Sequence, residues 1–285
     1  MIQQRRAVPS SARLSDEDRE YLIALARAFG GAIIFGLPLL MTMEMWTLGF
    51  TMDRLRLALF MVAMLPVLSV LAYFAGFEEN FGVKDCVLSA FAAYAVAIVA
   101  AAMILLLFGL LGPGMSVDEV VGKIALQAVP GSIGAMLARS QFGQAPTEGE
   151  EGERRDCYMG EMFLAGVGAL FMAFNVAPTE EVVLIAQTIT GWHAVAIAVV
   201  SLVLMHAFVY AVDFRGETEL EDLREAASEF LRLTVVAYVL TLLIAAYVLW
   251  SFGRSDGLAP LEVLIEAVVL GLPGALGAAA ARLIL

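Results

Sequence analysis

The chain has 285 residues, 61% of them hydrophobic and only 16% charged, whereas a soluble domain is about half apolar and about a quarter charged. Its net charge of −12 argues against a nucleic-acid partner, because such a surface repels phosphate. The balance defines a polytopic membrane protein whose first partner is the lipid bilayer.

Residues 1–20 read as a cytoplasmic segment. Arg5, Arg6 and Arg13 are not followed by the short apolar core of a cleaved leader, so the first membrane helix is expected to serve as the insertion signal. Ser15, followed by Asp16, Glu17 and Asp18, forms a helix start with a hydroxyl cap and acids at the positive end of the helix dipole. Eight apolar runs follow at 21–43, 55–75, 86–111, 119–138, 159–178, 191–212, 229–252 and 262–284. Each is long enough for a hydrocarbon core of about 30 Å.

With the N-terminus inside, the other face of the membrane receives only Arg54, Arg56, Lys123 and Arg254 of the 17 Lys and Arg residues. That excess places both termini in the cytoplasm and the protein in a bacterial inner membrane. The connection 141–157 is a Gly- and Glu-rich acidic cytoplasmic linker, and 213–229 is expected to hold a short surface helix. Cys86 and Cys157 fall at helix starts on the reducing side, so no disulfide, zinc site or haem is expected, and no cofactor.

The chain also repeats itself. At an offset of 137, Gly31, Thr42, Glu44 and Tyr73 recur as Gly168, Thr179, Glu181 and Tyr210. At an offset of 143, PGSIGAMLAR from Pro130 recurs as PGALGAAAAR from Pro273. The expected fold is all-α, with about eight transmembrane helices in two parallel four-helix repeats, 21–140 and 158–285, both inserted in the same sense because four is even. Gly131, Gly134, Gly274 and Gly277 leave backbone exposed for close helix approach. Pro130 and Pro273 are expected to bend their helices, and Pro38 and Pro178 to break the first and fifth runs near the outer face.

The functional signal is a set of carboxylates at one depth on the outer side: Glu44, Glu180 and Glu181 with Glu119, Glu262 and Glu266. An unpaired acid in lipid costs at least a few kcal/mol, so these groups should face a cavity, pair, or take up a proton. Asn175, aligned with Pro38, adds a neutral oxygen. Lys123 aligns with Glu266. A local pair with Glu119 at i,i+4 is expected in preference to a role as a tethered cation in a carboxylate pocket. Oxygen ligands of this kind suit Ca²⁺ or another hard cation, with Glu44 and Glu181 as the principal metal ligands. The competing reading is acids that end their helices in water.

His206 is a candidate proton relay, weighed against a histidine simply bonded to a neighbour. Met41, Met43 and Met45 are two apart and share no helical face, so they read as apolar filling. Arg27 is expected to snorkel or to pair with Glu161. No P-loop, G-x-S-x-G, H-E-x-x-H or TVGYG-like segment is present, and an enzyme is not expected.

The segments GGAIIFGLPLLMTMEMWTLGF at 30–50, NVAPTEE at 175–181 and the paired PGxxGA motifs resemble a bacterial family of integral membrane proteins without an assigned function. The resemblance covers nearly the whole chain and implies a membrane fold, but it supplies no activity, ligand or catalytic residue. The APTEE segment also looks like the proline-acid motifs of cation/Ca²⁺ exchangers, as a chemical analogy only. The leading expectation is a channel or carrier for a divalent cation or proton, with its path between the repeats. The alternative is a non-transporting scaffold that binds lipid or a partner protein through the small-residue faces. Oligomeric state is open, a homodimer included.

Overall fold

All eight apolar runs form helices in the computed structural model, which describes residues 16–75, 82–142, 158–213 and 230–284. In order these are α1 (Asp16–Leu40), α2 (Met43–Thr51), α3 (Arg54–Ala75), α4 (Val83–Leu107), α5 (Val117–Phe142), α6 (Tyr158–Val176), α7 (Glu181–Thr188), α8 (Gly191–Asp213), α9 (Val236–Ser251) and α10 (Pro260–Ile284). Eight spans, the seventh being α9 with part of the turn before it (Arg232–Ser251), are long and apolar enough to cross a membrane, and no strand occurs among the described residues. The expected cap at Ser15, Cys157 with most of its linker, and the surface helix expected after Asp213 lie outside the described residues.

Three boundaries differ from expectation. The first and fifth runs stop at Leu40 and Val176, and each gives way to a short separate helix, α2 or α7. At both breaks a threonine turns its hydroxyl back to the preceding helix: Thr42 donates to the Leu39 carbonyl (2.8 Å) and Thr179 to that of Val176 (2.9 Å). The third run ends at Leu107 because Gly109 takes a left-handed conformation (φ 71°). There the Leu110 N–H reaches the Leu105 carbonyl and the Gly109 N–H that of Leu106, the bond pair of a glycine-terminated helix. Gly253 (φ 74°) ends α9 in the same way, with Arg254 bonded to Leu249 and Gly253 to Trp250. The seventh run opens with a π-helical turn, Phe230–Val235, before α9.

Helix α5 lies deepest, with 78% of its membrane window buried, against 17% for α8 at the rim. Small residues explain how α5 can be so enclosed. Gly134 lies against the backbone of Gly31 in α1 so closely that neither position has room for a Cβ. Gly277 of α10 meets Gly168 of α6 in the same manner. Without a hydrophobic force between helices in lipid, such backbone approach supplies the packing. The faces carrying Gly134 and Gly277 are thus covered by helices of the same chain. Pro130 and Pro273 lie inside helices that run on past them to Phe142 and Ile284.

The seam between α1–α5 and α6–α10 is aromatic along its length. Phe74 stacks on Phe163 at 5.4 Å, and Phe35 meets Phe171 at 5.0 Å with the rings tilted by 60°. Nearer the α2/α7 end, Phe60 of α3 meets Phe174 (5.3 Å), Tyr247 (6.0 Å) and Phe252 (6.1 Å). Such pairs contribute roughly 0.5–1.5 kcal/mol each beyond the area they bury.

Candidate functional site

The site is assembled from the end of α2, the first turn of α3, and the end of α9 with the turn that follows it. Asp53 precedes α3 and accepts the backbone N–H of Arg56 at 3.0 Å, satisfying one of the unpaired donors of the first helical turn. That fixes Arg56, whose guanidinium makes two bonds to Asp256 (2.8 and 2.9 Å) and a third to the Trp250 carbonyl (3.0 Å). It also lies over the Trp250 ring, 5.0 Å from its centroid. The pair spans 200 positions of sequence and ties the start of α3 to the turn between α9 and α10. Around it opens a cavity of about 610 Å³ whose lining includes Thr51, Asp53, Arg56, Ser251, Phe252 and Asp256. Phe252 also touches Phe174 (5.2 Å) and Phe60, so one wall of the cavity is an edge of the aromatic cluster.

On the far side of that cluster, an apolar groove of about 350 Å³ runs between α3, α6 and α9, past Met64, Val67, Phe163, Val167, Leu240 and Tyr247. Tyr247 belongs to both the groove and the cluster. Along the seam the order is therefore polar cavity, aromatic cluster, apolar groove. Phe60 stands six residues into α3, about 9 Å from its start.

The four cations assigned to this side by charge counting are all engaged by the protein. Arg54 donates to the Gly49 carbonyl (3.2 Å) and Arg56 binds Asp256. Lys123, 6% exposed, binds Glu119 at 2.7 Å and the Leu110 carbonyl at 3.3 Å beneath the Phe50 ring, which is the expected i,i+4 pair. Arg254 donates to the Pro178 carbonyl.

The expected carboxylate ligands are distributed among separate local environments. Glu44 is half-exposed in the first turn of α2, and Glu180 and Glu181 are exposed at the start of α7. The Glu181 carboxyl is held below its ordinary value of 4.5, chiefly by its own backbone N–H and then by Thr179. Glu119 pairs with Lys123, and Glu262 accepts the Ala259 N–H (2.8 Å). Glu266 is 2% exposed, with Arg254 within electrostatic reach. Asn175 is half-buried, and its amide donates to the Phe171 carbonyl at 2.7 Å. Among the described residues, no three His, Cys, Asp or Glu side chains gather closely enough to hold a metal ion.

Elsewhere, Pro38 is exposed in the last turn of α1, Pro178 is buried, and Gly131 and Gly274 are buried in α5 and α10. His206 in α8 bonds the Thr234 hydroxyl (3.1 Å) in the π-helical turn. Sequence reasoning missed Asp53, Asp256, Phe60, Phe174 and Phe252. Asp53 alone left a trace, as a capping acid three residues before Arg56.

Eight apolar spans, with many large hydrophobic side chains exposed on their surfaces, define a polytopic α-helical membrane protein. The family model described as "Putative integral membrane protein (DUF2391)" matches residues 24–285. The chain belongs to that family. Comparison with curated proteins and with solved structures finds no match.

Proposed function

We propose that the protein transports a small cation across a bacterial inner membrane, along the seam between two four-helix units, 21–140 and 158–285, inserted in the same sense with both termini cytoplasmic. The observation that carries this reading is the polar cavity at the α2/α7 end, walled by Phe252 of the aromatic cluster. Its charged lining comprises two acids, Asp53 and Asp256, and one cation, Arg56. The balance favours a positive ion. Glu44, Glu180 and Glu181 stand in or beside the short helices of this end, where they raise the local cation concentration rather than chelate.

Phe60, Phe174 and Phe252 form a hydrophobic constriction of the kind that excludes ions by dewetting, so the conformation described is a closed one. The Arg56–Asp256 bonds hold the two units together above it. The equivalences of Gly31·Gly134 with Gly168·Gly277, and of the turns at Gly109 and Gly253, support descent of the two units from one. A scaffold role through the small-residue faces of α5 and α10 fits less well, because Gly134 and Gly277 are covered from within the chain.

Flux of Ca²⁺, Mn²⁺, K⁺ and H⁺ into proteoliposomes tests the proposal. Asp53→Asn with Asp256→Asn is expected to lower cation flux by about tenfold through loss of the focusing field. Flux that is unchanged in this double variant removes the cavity from the path.

A further inference from the structure

Gln127 lies ten residues into α5, about 15 Å from its start and so near mid-membrane. It is 2% exposed, and neither its Nε2 nor its Oε1 has a hydrogen-bond partner among the described residues. Burying an amide in this way forfeits its hydration with nothing in return. The side chain lines a cavity of about 10 Å³ between α1, α4 and α5, together with Ala32, Gly36, Ala97, Ala100 and Gly131. About 10–15 Å³ of such space is the least that a water molecule needs. No other polar side chain lines it. A backbone oxygen is close by, however: the Ala32 carbonyl lies 3.5 Å from where a Cβ on Gly131 would stand.

We infer that this cavity holds one ordered water molecule, bound by the Gln127 carboxamide and the Ala32 carbonyl. Water fits because it both accepts from Nε2 and donates to an oxygen. A bare cation fits poorly: the amide nitrogen presents protons to the same space, no carboxylate lines it, and the ion would surrender its hydration shell in mid-membrane. The site belongs to the first unit alone. At the 143 offset Gln127 becomes Leu270, which is fully buried, so the corresponding place in α10 has no amide to hydrate. The inference is independent of any transport along the seam.

Gly36→Ala tests it. A Cβ there would meet Leu40 Cδ1 at 3.8 Å and the Gly131 Cα at 3.9 Å, ordinary contacts that the fold accepts, and the methyl would occupy the cavity. Alanine is the better helix former, so in a dry void the substitution raises Tm. With water present it evicts the ligand and strands the amide, and Tm falls by several degrees in detergent. Gln127→Leu, which copies the second unit, abolishes that fall when combined with Gly36→Ala, a non-additivity that a double-mutant cycle reads directly. A map that resolves internal waters is expected to show density within hydrogen-bond distance of the Gln127 amide in the wild type and none in Gly36→Ala. The inference is overturned if Gly36→Ala raises Tm equally with and without Gln127→Leu, or if such a map shows no density at Gln127.

Discussion

The first membrane turns of α5 and α10 place opposite charges at the same position. In α5 the buried group is the Lys123 ammonium; in α10, at the 143 offset, it is the Glu266 carboxylate. Lys123 is answered on its own helix by Glu119, and from the preceding turn by the Leu110 carbonyl. For Glu266 the opposite charge comes from outside the helix, on Arg254, which follows the glycine that ends α9 just as Leu110 follows the glycine that ends α4. The two environments share a requirement rather than a residue: a charge at this depth must meet its opposite within the chain. Arg56 follows the same rule through Asp256, whereas Arg54 is bonded to the Gly49 carbonyl.

The proposed likeness between the two units is most severely tested at the glycine contacts. Gly134→Val and Gly277→Val each drive a side chain into the backbone of a neighbouring helix, a cost well above the usual ~1–3 kcal/mol of overpacking. Both are expected to abolish the monodisperse folded peak in size-exclusion chromatography, and to a similar degree. If one is tolerated, the two contacts are not equivalent.

The contrast between the charged pairs is tested next. Arg254→Met removes the bond to the Pro178 carbonyl together with the cation within electrostatic reach of the buried Glu266, and is expected to cost about 1–3 kcal/mol. Glu119→Gln keeps a hydrogen-bond acceptor for Lys123 at a half-exposed site and is expected to cost about 1 kcal/mol or less. Thermal melts that reverse this order would mean that Glu266 is neutralised some other way.

The smallest effect concerns Glu181. Its folded-state carboxyl titrates below the ordinary 4.5, so the stability linked to it is present above that value and is lost as pH falls through the lower, folded-state one. Glu181→Gln should therefore melt slightly below the wild type from pH 8 down to pH 5, and the gap should close on further acidification. A gap that instead changes between pH 6 and pH 8 would assign Glu181 the raised pKa of a proton carrier.

The eight spans were legible because length and apolarity alone specify a membrane helix. The Lys123–Glu119 pair was legible because i,i+4 is a local relation. The short helices α2 and α7 were not. Pro38 and the Ala-Pro-Thr segment before Glu180 read as the ends of the long runs, and only the hydroxyl-then-acid pairs at Thr42/Glu44 and Thr179/Glu181 hinted at a second helix start. Glu44 and Glu181, expected near the ends of the long runs, stand in the first turns of these separate short helices. The Arg56–Asp256 bridge joins residues 200 positions apart, and the Phe60, Phe174 and Phe252 cluster draws on three elements. Neither has a local pattern to reveal it.

Whether the aromatic cluster is the closed gate of the proposed path is measured most directly by cation flux through Phe174→Ala in proteoliposomes. The variant must first elute like the wild type. Flux well above that of the wild type, reduced again by Asp53→Asn with Asp256→Asn, is the predicted result. Flux no greater than that of protein-free liposomes, in wild type and Phe174→Ala alike, would contradict it.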